Sequence, residues 1–124
     1  MPRAPLYRAS DAVTGVVVAE RLRVADTHWA RLRGLIGTSG LAAGEGLWIR
    51  PCRQVHMFWM RYPIDVVFLD DEHHVTGLAR SLAPWRISPT FPATESVLEL
   101  PAGTIDRTTL RAGSRLAIQP TGRS

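Results

Sequence analysis

Hydrophobic and polar residues alternate along several short stretches of the chain, which is the pattern of β-strands with one buried face. The first stretch opens with a run of valines and continues its apolar face through Leu22 and Val24. Turn residues such as Pro51 and the acidic run 70–72 separate the later stretches. The predicted strands are Val16–Leu22, Leu47–Ile49, Val55–Met60, Ile64–Leu69, Val75–Leu82 with a bulge at Gly77, Val97–Leu100 and Arg115–Gln119.

Helical spacing of apolar residues is found in two places. A short helix is predicted to begin at Asp26 or Thr27, which would cap it, and to end at Gly37. A second helical turn is predicted from Thr104 through Leu110. This many strands with two brief helices predict a mainly β (α+β) fold of the compact, barrel-like kind.

The length of 124 residues fits a single domain. We expect this domain to span residues 1–124, with its core over about 14–120 and loose termini at 1–10 and 121–124. Three prolines between positions 83 and 94 predict a long irregular loop there.

The amino-acid composition excludes several classes of function. The 15 basic residues are all arginine, and with 11 acidic residues they give a net charge of +4. Because lysine is absent, Schiff-base chemistry and a phosphate-binding P-loop lysine are excluded. The nearest approach to a basic patch contains two acidic residues, Glu20 and Asp26, so a nucleic-acid surface is not favoured. Its arginines are Arg21, Arg23, Arg31 and Arg33.

The single cysteine and the absence of a long apolar run indicate the cellular compartment of the protein. Cys52 has no second cysteine in the chain with which to form a disulfide, as is usual in the cytoplasm. No apolar run approaches the roughly 18 residues of a membrane span. We therefore expect a cytoplasmic protein without a membrane partner.

Three residues of the central segment could support catalysis. Cys52, His56 and Asp65 offer a thiolate, an imidazole and a carboxylate, which suit either a zinc site or a nucleophile with its base. Asp65 or Glu99 could orient the imidazole in the second arrangement. A half-buried cysteine and a hydrogen-bonded core histidine are the preferred interpretation, so neither a metal nor another cofactor is expected.

Polar and aromatic residues of the same segment also suit binding. His56, Trp59, Arg61 and Asp65 lie on a predicted strand-turn-strand unit, and Glu99 is a candidate neighbour. An arginine can hold an anionic group while an aromatic ring offers a stacking face. The alternative role for Arg61 and Asp65 is an ion pair that braces the turn.

Six short motifs are spread along the chain: Arg33–Ile36, Gly46–Ile49, Phe58–Arg61, Pro63–Asp70, Ser96–Gly103 and Leu110–Gly113. Taken in this order, the motifs resemble the domain of unknown function 192 family, also called uncharacterised protein family 0127. They extend over most of the chain. The resemblance implies a β-rich, barrel-like fold and supplies no established activity. The turn between Met60 and Asp65 is shorter than in that family, and Ser114 replaces a typical aspartate.

These observations lead to three hypotheses of function. The first is a non-catalytic module that binds a small ligand or a protein segment around His56–Asp65. The second is a small hydrolase that uses Cys52, His56 and Asp65, with or without a metal. The third is nucleic-acid binding by arginines.

Overall fold

A computed structural model of the protein describes residues 5–27 and 34–123. Within these residues the chain forms seven strands and one short helix, so the mainly β fold class is confirmed. No helix of the described chain is both long and apolar enough to cross a membrane. The elements are β1 (Pro5–Asp11), β2 (Val17–Ala25), β3 (Glu45–Ile49), β4 (Ile64–Leu69), β5 (Val75–Leu82), β6 (Ser96–Pro101), α1 (Thr104–Thr108) and β7 (Leu116–Arg123).

The strands form one sheet in the order β5-β4-β6-β3-β2-β1-β7. The β2–β3 pair is parallel and the other pairs are antiparallel. The two outer strands approach each other at one end, where the Val75 amide donates to the Ser114 carbonyl at 2.7 Å and the Leu116 amide donates to the His73 carbonyl at 2.9 Å. The sheet is therefore curled and barrel-like, but it is not closed along its length.

Both faces of the sheet are covered, which explains why the central strands are apolar throughout. All six residues of β4 are buried. Val67 and Leu69 belong to one apolar cluster, and Val66 and Phe68 belong to the other. Because successive side chains of a strand point to opposite faces, these two clusters lie on opposite sides of the sheet. We call the side of Val67 the first face and the side of Val66 the second face.

A glycine in β5 accommodates the ring that covers the second face. A side-chain carbon at Gly77 would overlap the Phe91 ring, so only glycine fits beneath that ring. The pairing of β4 with β5 also shifts register between Phe68 and Leu69, opposite Gly77 and Val75. This irregularity agrees with the bulge predicted at Gly77.

The two ends of the described chain belong to the sheet. The N-terminus is not loose over all of 1–10, because residues 5–10 belong to β1 and pair with both β2 and β7. Likewise β7 continues to residue 123. The predicted helix before Gly37 falls mostly on residues 28–33, which lie outside the described residues.

The predicted strand Val55–Met60 is wrong. This segment is a loop whose His56 forms an isolated bridge with Ile87. Val55, Met57 and Met60 are buried against the second face, while His56 and its other neighbours are exposed. The alternation that suggested a strand therefore arises from a loop that packs three apolar side chains onto the sheet.

Candidate functional site

Exposed aromatic residues cluster at the surface of two neighbouring loops, over residues 51–63 and 83–95. Trp59 is 67% exposed and Trp85 is 57% exposed, yet their ring centroids lie only 4.9 Å apart. The Phe58 ring lies 6.1 Å from that of Trp85 and 5.0 Å from that of His56. Ile87, opposite His56, is 56% exposed. We call these five residues the aromatic surface.

Backbone hydrogen bonds hold the two loops together beneath this surface. The Met57 amide donates to the Arg86 carbonyl at 2.7 Å, and the Trp85 amide donates to the Met57 carbonyl at 2.8 Å. The Ser88 amide donates to the Val55 carbonyl at 2.8 Å, and the Ser88 hydroxyl accepts the Val55 amide at 2.9 Å. Met57 is fully buried, so the loop backbone that carries the exposed rings is anchored to the core.

The backbone at both tryptophans is strained. Trp59 has φ of 69° and Trp85 has φ of 70°, in the left-handed region that residues with a side chain rarely adopt. Such a conformation costs about 1–3 kcal/mol and persists only where the surrounding structure fixes it. The strain coincides with the two most exposed rings of the cluster, which is typical of functional surfaces.

Three exposed arginines lie next to the aromatic surface in sequence. Arg53 and Arg61 belong to the first loop, and Arg86 follows Trp85 in the second. The ion pairs found within residues 5–27 and 34–123 do not include any of the three. Among the described residues, these three guanidinium groups thus have no carboxylate within ion-pair distance.

Asp65, predicted to join this site, lies on the first face of the sheet. It is 1% exposed, and its two carboxylate oxygens accept the Ser81 and Ile105 amides, each at 2.8 Å. The loop with His56 packs on the opposite, second face. Asp65 thus holds β5 and α1 against β4 and does not face the aromatic surface.

Glu99 lies on the second face, in the interior of β6 between Leu47 and Val66 of the adjacent strands. Its Oε1 has no hydrogen-bond partner among the described residues. Burial raises the pKa of its carboxyl to about 7. A side-chain carbon at Gly34 would lie 3.7 Å from this oxygen, so the chain after residue 33 covers the carboxyl. Glu99 is an interior group rather than part of the exposed cluster.

The predicted catalytic trio is not assembled. Cys52 is half-buried against the second face, and its thiol donates to the Gln54 carbonyl at 3.3 Å. Asp65 is engaged on the other face, so it cannot orient the His56 imidazole. In the described part of the chain, no group of three His, Cys, Asp or Glu side chains could hold a metal ion.

The structure thus brings together only part of the predicted site. His56 and Trp59 belong to the aromatic surface, and Arg61 is an exposed residue two positions after Trp59 in the chain. Trp85 and Ile87 were missed because their proline-rich segment reads as an irregular loop. The sequence does contain one indication of an exposed binding surface here: two large apolar residues flank an arginine inside a loop.

The curled sheet and its exposed loop cluster define a small mainly β domain. Comparison with known families assigns it more closely: the model of the DUF192 family, described as an uncharacterized ACR, matches residues 10–118. The chain therefore belongs to the DUF192 family.

Relatives and solved structures agree with this assignment. A UPF0127 protein from Thermococcus sibiricus is 33% identical over 107 residues, covering 82% of this chain and 68% of the relative. One from Thermococcus kodakarensis is 26% identical over 106 residues, covering 82% and 66%. The chain thus spans about two thirds of the length of these relatives.

Two crystal structures share the fold. A protein of unknown function from Novosphingobium aromaticivorans has a TM-score of 0.78 and 21% identity, over 90% of this chain and 83% of the other. A putative transcription regulator from Sinorhizobium meliloti has a TM-score of 0.79 and 22% identity, over 94% and 95%. At these identities the likeness concerns the fold alone.

Proposed function

We propose that this DUF192 domain is a non-catalytic binding module whose aromatic surface docks an acidic, apolar-containing segment of another protein. The observation that carries the proposal is the pair of exposed, touching tryptophans on a fixed loop base. Tryptophan and arginine are the residues most often found at energetically dominant positions of protein interfaces. Here both types lie in one pair of loops.

The apolar part of the proposed partner follows from the exposed rings. Trp59 and Trp85 expose more than half of their surface, whereas large apolar side chains are usually more deeply buried. Covering them with an apolar or aromatic side chain removes that surface from water. Because the loops are already held by hydrogen bonds, little ordering is needed on binding.

The acidic character of the proposed partner follows from the arginines next to the aromatic surface in sequence. Arg53, Arg61 and Arg86 are exposed and lack ion-pair partners among the described residues. Carboxylates of the partner can accept paired hydrogen bonds from such guanidinium groups. Basic segments would be repelled by the arginines. These arginines therefore increase the specificity of binding and the rate of association with an acidic partner.

Selection from a displayed library of random peptides tests the proposal. Immobilised wild-type protein should enrich peptides that combine carboxylates with aromatic or aliphatic residues. A parallel selection on the Trp59→Ala, Trp85→Ala double variant should not enrich them. Enrichment that is equal on both proteins, or enrichment of basic peptides, would count against the aromatic surface as the binding site.

A further inference from the structure

A second surface feature, separate from the aromatic surface, is a cleft of about 420 Å³ at the end of the sheet. It opens where the parallel strands β2 and β3 end and meet the turn between β4 and β5. Asp26 and Arg50 follow those two strands directly, and Asp71 and His73 come from the turn. The volume is within the range of small-molecule sites.

One wall of the cleft is an arginine stacked on a tryptophan. The Arg50 guanidinium carbon lies 4.2 Å from the centroid of the Trp48 ring. Trp48 is 4% exposed and fixed, because its indole nitrogen donates to the Ser96 hydroxyl at 3.0 Å. The Arg50 backbone amide donates to the Ala25 carbonyl at 3.1 Å. The cation is therefore held in place, with one face of its guanidinium covered.

Among the described residues Arg50 forms no ion pair, although carboxylates line the same cleft. The ion pairs of residues 5–27 and 34–123 do not include it. Asp71 and Glu95 line the cleft and are exposed, and they too are absent from those pairs. Asp70 differs, because its carboxylate accepts the Glu72 and His74 amides. Within the described residues, the Arg50 guanidinium and the Asp71 and Glu95 carboxylates thus line one cleft without forming an ion pair with one another.

This arrangement constrains the ligand. A simple anion bound to Arg50 would also meet the carboxylates, and a simple cation bound to the carboxylates would meet Arg50. A molecule with both charges avoids both penalties. The His73 ring, 5.3 Å from that of Trp48, adds a polar group, and burial together with Arg50 lowers its pKa. At neutral pH it therefore adds no charge to the cleft.

We infer that the cleft binds a small zwitterion of the amino-acid or dipeptide class. The ligand carboxylate lies against the Arg50 guanidinium, which suits paired hydrogen bonds. The ligand ammonium lies against Asp71 and Glu95. The site is independent of the aromatic surface, and neither proposal depends on the other.

Titration of isotope-labelled protein with alanyl-alanine, followed by amide NMR, tests this inference. Saturable shifts are expected at Asp71, His73 and Glu95. N-acetyl-alanyl-alanine lacks the ammonium and alanyl-alanine amide lacks the carboxylate, so each should bind about tenfold more weakly or worse. Absence of shifts with the zwitterion, or equal binding of either capped peptide, would overturn the inference.

Variants separate the two ends of the ligand. Arg50→Gln should abolish the preference for the free carboxylate, and a Glu95→Gln, Asp71→Asn double variant should abolish that for the free ammonium. Glu72→Gln is the matched control, because Glu72 is an exposed carboxylate in the same turn that does not line the cleft. A Glu72→Gln effect as large as that of the double variant would show a general charge effect and refute the site.

Discussion

The buried carboxyl of Glu99 gives the stability of this protein a distinctive dependence on pH. The side chain is 5% exposed, with one oxygen lacking a hydrogen-bond partner among the described residues. Burial raises its pKa from 4.5 to about 7. Replacing Glu99 with glutamine keeps the shape and removes the titration, so the variant isolates the contribution of this one group.

The magnitude and sign follow from the two pKa values. In the unfolded chain Glu99 ionises above 4.5, whereas in the folded protein it holds its proton until about 7. The folded state thus binds more protons in that interval, and the free energy of unfolding falls as pH rises through it. At about 1.4 kcal/mol per pKa unit, the loss is about 3 kcal/mol, complete somewhat above pH 7.

Chemical denaturation of the wild type and Glu99→Gln across this interval measures the effect. Other titrating groups are common to both proteins, so the difference between the two unfolding free energies reports Glu99 alone. We expect Glu99→Gln to gain about 3 kcal/mol relative to the wild type between about pH 4 and pH 8. Parallel curves would refute the conclusion that Glu99 is buried without a compensating partner.

Three further predictions concern packing and charge. Asp65→Ala leaves the Ser81 and Ile105 amides without their acceptor and should cost about 2 kcal/mol or more, whereas Asp106→Ala at the surface should change thermal stability little. Gly77→Ala should cost about 1–3 kcal/mol in denaturation experiments, because the new methyl group meets the Phe91 ring. Binding of selected acidic peptides should weaken as salt increases, and a salt-independent affinity would contradict a role for the arginines.

Much of the fold was predictable because burial follows local pattern in most strands. The continuous apolar run Ile64–Leu69 is β4, buried on both faces, as the pattern of a central strand requires. The strand β1 was not predictable, since Pro5 and Arg8 interrupt its apolar pattern. It exists because it pairs with β2 and β7, which are distant in sequence.

The candidate site was only partly predictable, because sequence distance does not report which face a side chain occupies. Asp65 and His56 are nine positions apart yet pack on opposite sides of the sheet. Glu99 is predicted to lie beside the His56–Asp65 unit, but it is a buried residue in the interior of β6. Trp85 joins Trp59 only through contacts between two loops, which no local pattern encodes.

The most direct test of the binding surface is the affinity of a selected acidic peptide for three variants. Trp59→Ala and Trp85→Ala each remove an exposed ring and should weaken binding about tenfold or more. Val13→Ala is the control, because Val13 is 89% exposed and lies in another turn. The account predicts loss with both tryptophan variants and wild-type affinity with Val13→Ala. Wild-type affinity in both tryptophan variants would contradict it.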